Sequence, residues 1–327
     1  MAVIRKNILG DAGSRDAYIR GVLLLKQEDS GKKTTDFGLR GRAQPVSTYD
    51  LFVIWHYRAM MTPTPPGQSS RNAAHGGPIF CPWHRLMLLL LEQNLRRVLG
   101  DANFALPYWD WGADGDRAPA RQSASAIWAP DCLGGQGAPV DSGPFAFSAS
   151  DPKSFRVKID ANSSGALIPV NRGLARDFGA NIDALPSSAH VANALALNIY
   201  DAPDWDAETT DFRNRVEGWM ADAGFQAPWM HNRVHVWVGG DMLKGTSPND
   251  PVFYLNHCNV DRIWSAWLAA NGGAYAPDMS AGDDLRGHRI DDAIVSPLGA
   301  GATPRQLLDV SALYSYDALP QAPPGVA

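Results

Sequence analysis

Six of the chain's eight histidines fall into two groups of three: His56, His75 and His84, then His231, His235 and His257. His231 and His235 stand four apart in HNRVH, which on a helix puts both rings on one face, one turn apart. His257 opens the apolar run HCNVDRIWSAWLAA, His84 opens HRLMLLLLEQNLRRVL just after Pro82, and His56 lies inside YDLFVIWHYRAMM. Residues 62–80 are rich in Pro, Gly, Ser and Asn, so His75 is expected on a loop. Helical bundles build metal sites by aiming side chains from facing helices at one point. The fold expected is therefore mainly α, a four-helix bundle core holding metal, with long loops and a few short strands.

The rest of the chain narrows the partners. It is 45% hydrophobic and 19% charged, enough apolar material for a sizeable core. A formal net charge of −5, with no Lys/Arg stripe, argues against nucleic acid. The longest apolar stretch, LMLLLL at 86–91, is too short to cross a bilayer. The start, MAVIRKNILGDAG, has neither an apolar signal-peptide core nor a twin-arginine pattern. The expectation is a cytoplasmic protein, or one exported with a helper, having no signal peptide of its own. Three cysteines, Cys81, Cys132 and Cys258, are no disulfide framework and read as buried small hydrophobes.

Along the chain, residues 14–26 read as a helix capped by Ser14, and 27–44 as a loop. The His56 helix should end by Pro63, and the His84 helix should run from 84 to 99, stopped by Gly100. PYWDW at 107–111 reads as an aromatic turn. Residues 112–190 should form loops with small strands such as SFRVKID. Further helices are expected at 190–198 and 211–223. No repeat and no linker separates the histidine groups, so residues 1–327 are expected to form one domain.

The residue types suggest the metal. Zinc hydrolases usually mix carboxylates with histidines and keep an open position. Helical di-iron sites need Glu-x-x-His pairs, and none occurs here. Six neutral imidazoles without a carboxylate suit a copper pair, which the Irving–Williams order also favours. Two ions at the usual two-metal spacing of roughly 3.5–4 Å can bind O2 and reduce it by two electrons. The chemistry expected is oxidation by O2, with two copper ions (Cu) as cofactors and O2 as co-substrate.

Six segments carry a resemblance: PWHR at 82–85, LPYWDW at 106–111, WAPDCLGG at 128–135, FRNRVEGW at 212–219, HNRVHVWVGG at 231–240 and SPNDPVFYLNHCNVD at 247–261. The chain resembles the bacterial tyrosinases, type-3 copper proteins, from RKN near the start to YSYD at 314–317. The resemblance implies a four-helix bundle holding a di-copper site. One copper would be held by His56, His75 and His84, the other by His231, His235 and His257. It implies that Glu217 orients a water near the second copper with Asn232 as partner, and that together they help deprotonate a monophenol. It implies that Phe253 packs against the ligand shell, and that Val236 and Asn256 line the substrate entrance. It also implies a small phenolic substrate and, in many bacterial members, a small copper-delivery helper protein.

The match departs from the family in three places. Ala73 stands where fungal relatives carry a cysteine that forms a thioether with the next ligand, so His75 should be unmodified. The stretch from Glu217 to His231 is longer than in typical bacterial members, which would shift Glu217 relative to the copper. Asn256 replaces a histidine just before the last ligand, and an amide both donates and accepts hydrogen bonds. That exchange suggests substrates bearing an amino or carboxylate group, as in the related o-aminophenol oxidases and C-nitrosating enzymes. The leading expectation is an oxidase turning o-diphenols, o-aminophenols or monophenols into o-quinones or quinone imines. The alternatives are a C-nitrosating o-aminophenol monooxygenase, a haemocyanin-like O2 carrier without turnover, and a redox-silent zinc protein. Arg85 and Asp261 are expected to form structural ion pairs, and His190 and His288 to be surface or structural histidines.

Overall fold

The structure is a computed structural model that describes residues 2–220 and 228–323. Strand β1 (Val3–Arg5) opens the chain and helix α1 (Ala12–Gln27) follows. The cap of α1 is Asp11, whose Oδ1 accepts from the Ser14 backbone N–H at 2.7 Å. Ser14 is thus the capped position and not the cap, because a side-chain acceptor must sit ahead of the first turn to reach its orphan N–H groups. The expected loop at 27–44 contains strand β2 (Asp29–Lys33), which pairs antiparallel with β3 (Pro45–Ser47).

Helix α2 (Thr48–Met60) carries His56, and α3 (Phe80–Leu99) carries His84. His84 does not open α3. The helix starts a turn earlier and holds Pro82 in its first turn, where the missing N–H would have been unpaired anyway. Gly100 ends it in the left-handed region at φ 65°, as expected. Two short helices, α4 (Trp111–Gly115) and α5 (Pro119–Gln122), precede an antiparallel hairpin of β4 (Val157–Ala161) and β5 (Leu167–Arg172). The patch SFRVKID does contribute β4.

Next come α6 (Ser188–Leu195) and α7 (Phe212–Glu217). The helix expected at 211–223 stops at Glu217 because Gly218 turns to φ 105°. A Cβ at Gly218 would lie 1.9 Å from the Trp229 carbonyl, so only glycine fits that turn. Residues 221–223 of that expected helix lie outside the described residues. Helix α8 (Met230–Val238) carries His231 and His235, and α9 (Val252–Ala270) carries His257. His257 also sits a full turn inside its helix and does not open it. Strand β6 (Tyr314–Tyr316) returns to pair in parallel with β1.

One apolar cluster runs from Ile8 to Leu307 and packs these helices together. Ionic groups inside it pair with one another. Arg85 Nε meets Asp261 Oδ1 at 2.5 Å, the ion pair expected from sequence. Arg5 joins the same group, reaching Glu92 at 2.9 Å and Asp261 at 3.1 Å, and Tyr314 and Tyr316 donate to Asp261 Oδ2. This knot fastens β1, α3, α9 and β6, and so fixes the helices that bear His84 and His257. Among the described residues no helix is long and apolar enough to cross a membrane.

Candidate metal centre

Four helices and one loop bring the six histidines together. Within each group of three, the candidate ligand atoms lie within 4.8 Å of one another. His75 comes from the loop, as expected. Its turn is held by Asn72 Oδ1, which accepts from the Ala74 N–H at 3.0 Å and the His75 N–H at 2.8 Å. Gly76 follows at φ 74°, where a Cβ would meet the Ser70 carbonyl at 2.5 Å.

Backbone carbonyls decide where four of the rings point. Nδ1 donates to Gly245 O in His56 (2.9 Å), to Phe80 O in His84 (2.8 Å), to Glu217 O in His231 (3.1 Å) and to Met242 O in His235 (2.7 Å). A carbonyl only accepts, so each Nδ1 carries the proton and each Nε2 keeps its lone pair for a metal. Among the described residues, the Nε2 atoms of His56, His84 and His235 are buried without a hydrogen-bond partner. Those of His231 and His257 face each other at 3.1 Å. Unpaired buried nitrogens cost free energy unless something binds them. Burial holds His56 down to about 3 and His235 down to about 4, and pushes the other four well below the ordinary histidine range. All six are therefore neutral at pH 7 and need lose no proton to ligate. The donor set suits copper.

Two phenylalanines enclose the cluster. Phe253 is fully buried, its ring centroid 4.2 Å from His257 and 4.9 Å from His56. It packs against the ligand rings and does not line the open cavity. Phe80 does the same from the other side, 4.8 Å from His84 and 5.1 Å from His231. Phe80 escaped the sequence reading, yet a signal existed: each phenylalanine stands four residues before a histidine on one helix.

Glu217 is fully buried. Its Oε1 accepts from the Gly76 N–H at 2.8 Å, and its Oε2 from Arg213 Nη1 at 3.1 Å. Burial raises its pKa against the opposing pull of Arg213 and these hydrogen bonds. Through Gly76 it steadies the first triad, and through its carbonyl it orients His231 in the second. Asn232 lines the cavity beside His231.

That cavity holds about 570 Å³ and reaches His56, His75, His231 and His235. Its wall is largely apolar, from Met60, Trp219, Val236, Met242 and Leu243, with Lys244 as its one cationic side chain among the described residues. Val236 lines it. Asn256 does not: it is fully buried, it is absent from the cavity wall, and neither amide atom has a hydrogen-bond partner among the described residues. Position 256 is on α9 just before a ligand, but the helix turns each successive side chain by about 100°, so adjacency in sequence does not bring it to the same face. The three cysteines are buried and unlinked. His288 is fully buried, contacting Thr64 O at 3.0 Å, so of the two expected roles it takes the structural one. His190 packs on Trp229 with ring centroids 4.4 Å apart.

A family profile, the common central domain of tyrosinase, matches residues 46–270, a span that holds all six histidines. The chain belongs to the tyrosinase family. It is 38% identical to a tyrosinase of Streptomyces glaucescens over 274 residues, covering 82% of this chain and 88% of the relative. It is 34% identical to grixazone synthase of Streptomyces griseus, covering 82% of this chain and 90% of that one. Its fold resembles that of a mutant polyphenol oxidase from Thermothelomyces thermophila, with a TM-score of 0.64 at 22% identity, covering 97% of this chain and 89% of the other. This tyrosinase-family protein is a copper-dependent oxidoreductase with two copper ions as cofactors and O2 as co-substrate. Its substrates are small phenolic compounds.

Proposed function

We propose that this enzyme oxidises o-diphenols and o-aminophenols, and also monophenols, to o-quinones or quinone imines. His56, His75 and His84 would hold one copper, and His231, His235 and His257 the other. The copper ions supply O2 binding, electron acceptance and Lewis acidity toward a phenol oxygen. The chain's own residues do the rest. The observation that carries the reading is the open apolar cavity that ends on imidazoles of both triads. A flat ring entering it meets Val236, Met242 and Leu243 on its faces and Asn232 beside His231. Such confinement beside the metal lowers the entropy cost of reaction. An O2 carrier has no use for an open path of this kind.

Glu217 and Asn232 form the proton-handling pair. Asn232 stands on the cavity wall, and Gly218, the residue after Glu217, packs against the Asn232 Cβ. A carboxylate whose burial raises its proton affinity suits a general base working through water. The similarity to grixazone synthase supports including aminophenols and a role in secondary metabolism.

Oxygen uptake by copper-loaded protein with tyrosine, its catechol analogue and 3-amino-4-hydroxybenzoate tests the proposal. Uptake with the catechol and the aminophenol is expected. No uptake with any of the three, at two coppers per chain, would contradict it.

A further inference from the structure

One turn supplies the carbonyls that orient a ligand in each triad. Met242 O receives His235 Nδ1 and Gly245 O receives His56 Nδ1. The same turn forms one wall of the cavity through Met242, Leu243 and Lys244. It is built only of two short 3-10 turns, Gly240–Leu243 and Ser247–Asn249, which cannot hold their own position.

The β4–β5 hairpin holds it instead. Arg172 grips Asp241 with both terminal nitrogens, at 2.8 and 2.5 Å, and reaches Asp160 Oδ2 at 2.7 Å. Asp160 in turn accepts from Lys244 Nζ at 2.8 Å and Thr246 Oγ1 at 3.0 Å. Asn249 Nδ2 donates to the Ile159 carbonyl at 2.8 Å. Asp160 and Asp241 are buried, so these charge-assisted bonds are poorly screened and geometrically strict. The hairpin itself contributes no histidine to either triad.

We propose that Arg172 is a positioning residue for both metal sites. It fixes Asp160 and Asp241, which fix the 240–249 turn, which fixes the rings of His56 and His235. The two coppers are therefore positioned through one shared support, and loosening that support weakens and misaligns both. The inference rests on the assignment of the two triads as ligands. Outer-shell partners of metal-bound histidines typically contribute 10–100-fold in metal affinity.

The test is Arg172→Met in the full chain, read by Cu(I) competition with a chromophoric chelator and by EPR of the Cu(II)-loaded protein. Two Cu(II) ions held as a close pair are magnetically coupled and EPR-silent, while misaligned ions give a signal. The expected result is an affinity loss of about 10-fold or more at both sites, with an EPR signal that the parent protein lacks. Arg172→Lys keeps the charge but not the two-pronged grip, and should fall between. Arg156→Met, on the same hairpin's approach but bonded only to Asn171 and the Ser148 and Asp151 carbonyls, should change neither readout. Parent-like affinity and silence in Arg172→Met would overturn the inference. Should that variant fail to fold, Thr246→Val removes one strut alone, and an unchanged Cu(I) affinity there overturns it equally. A parent protein that binds fewer than two coppers would instead refute the ligand assignment itself.

Discussion

The imidazole of His84 lies flat over that of His257, centroids 4.0 Å apart and planes 10° from parallel. One ring belongs to each triad, so the two metal sites share a wall. Each ring also stands one turn after a phenylalanine that packs against the other triad's rings, Phe80 on His231 and Phe253 on His56. Truncating either histidine should therefore disturb both sites. For His84→Ala and His257→Ala, copper content measured by elemental analysis should fall from two per chain to one or fewer. Catechol-dependent oxygen uptake should be lost. A variant that keeps two coppers would contradict the ligand assignment.

Substrate choice should follow the cavity wall and not Asn256. Val236→Ala enlarges the wall that a ring would touch, and one or two methylenes in such a wall shift discrimination by roughly 10-fold. Asn256→Ala changes a buried side chain with no hydrogen-bond partner among the described residues and no place on that wall. The ratio of aminophenol to diphenol turnover should move strongly in the first variant and stay within about twofold in the second, since discrimination lies in pocket contacts. A large shift in Asn256→Ala would restore the amide to a recognising role.

The ionic knot beneath the site should matter for stability more than for chemistry. Asp261 meets Arg5 and Arg85, all three buried. Asp261→Ala leaves the buried Arg85 guanidinium without a carboxylate, while Arg5 keeps Glu92, and breaking a buried pair in this way typically costs about 3–5 kcal/mol. Urea unfolding of the metal-free protein should show that loss. A loss under about 1 kcal/mol would mean that water or the tyrosines around Arg5 compensate.

The capping of α1 gives a pH test. Hydrogen bonding from Lys6, then from the Ser14 N–H, holds the Asp11 carboxyl down to about 2. A depressed carboxylate adds stability above its unfolded pKa, near 4, and that contribution fades as pH falls toward 2. Asp11→Ala should cost about 1 kcal/mol at neutral pH, and the deficit should shrink below about pH 4. Ser14→Ala should cost less, because it keeps the backbone N–H that Asp11 Oδ1 accepts. Equal effects of the two substitutions would contradict the cap assignment.

Much of this is legible in the sequence because metal ligation leaves few choices. The pair in HNRVH fixes its own helix face, and the loop residues around His75 exclude a helix there. What stays hidden is contact made at long range. Nothing near Met242 or Gly245 in sequence tells that their carbonyls meet His235 and His56. Nothing near Arg172 tells that it braces Asp241, 69 residues on. Helix starts read late from sequence at both His84 and His257, since the first apolar turn carries no marker of its own beyond Pro82 and Pro251. Adjacency to a ligand suggests a shared face for Asn256, and a helix denies that. Glu217 needs its tertiary partners, Gly76 and Arg213, to be distinguished from a surface carboxylate.

Everything proposed for this site depends on a pair of coppers acting together on phenols. This is tested most directly by titrating the metal-free protein with copper while following catechol-dependent oxygen uptake. Activity should rise to saturation at two copper equivalents per chain, and zinc at the same sites should support none. Saturation at one equivalent, or equal uptake with zinc, would contradict it.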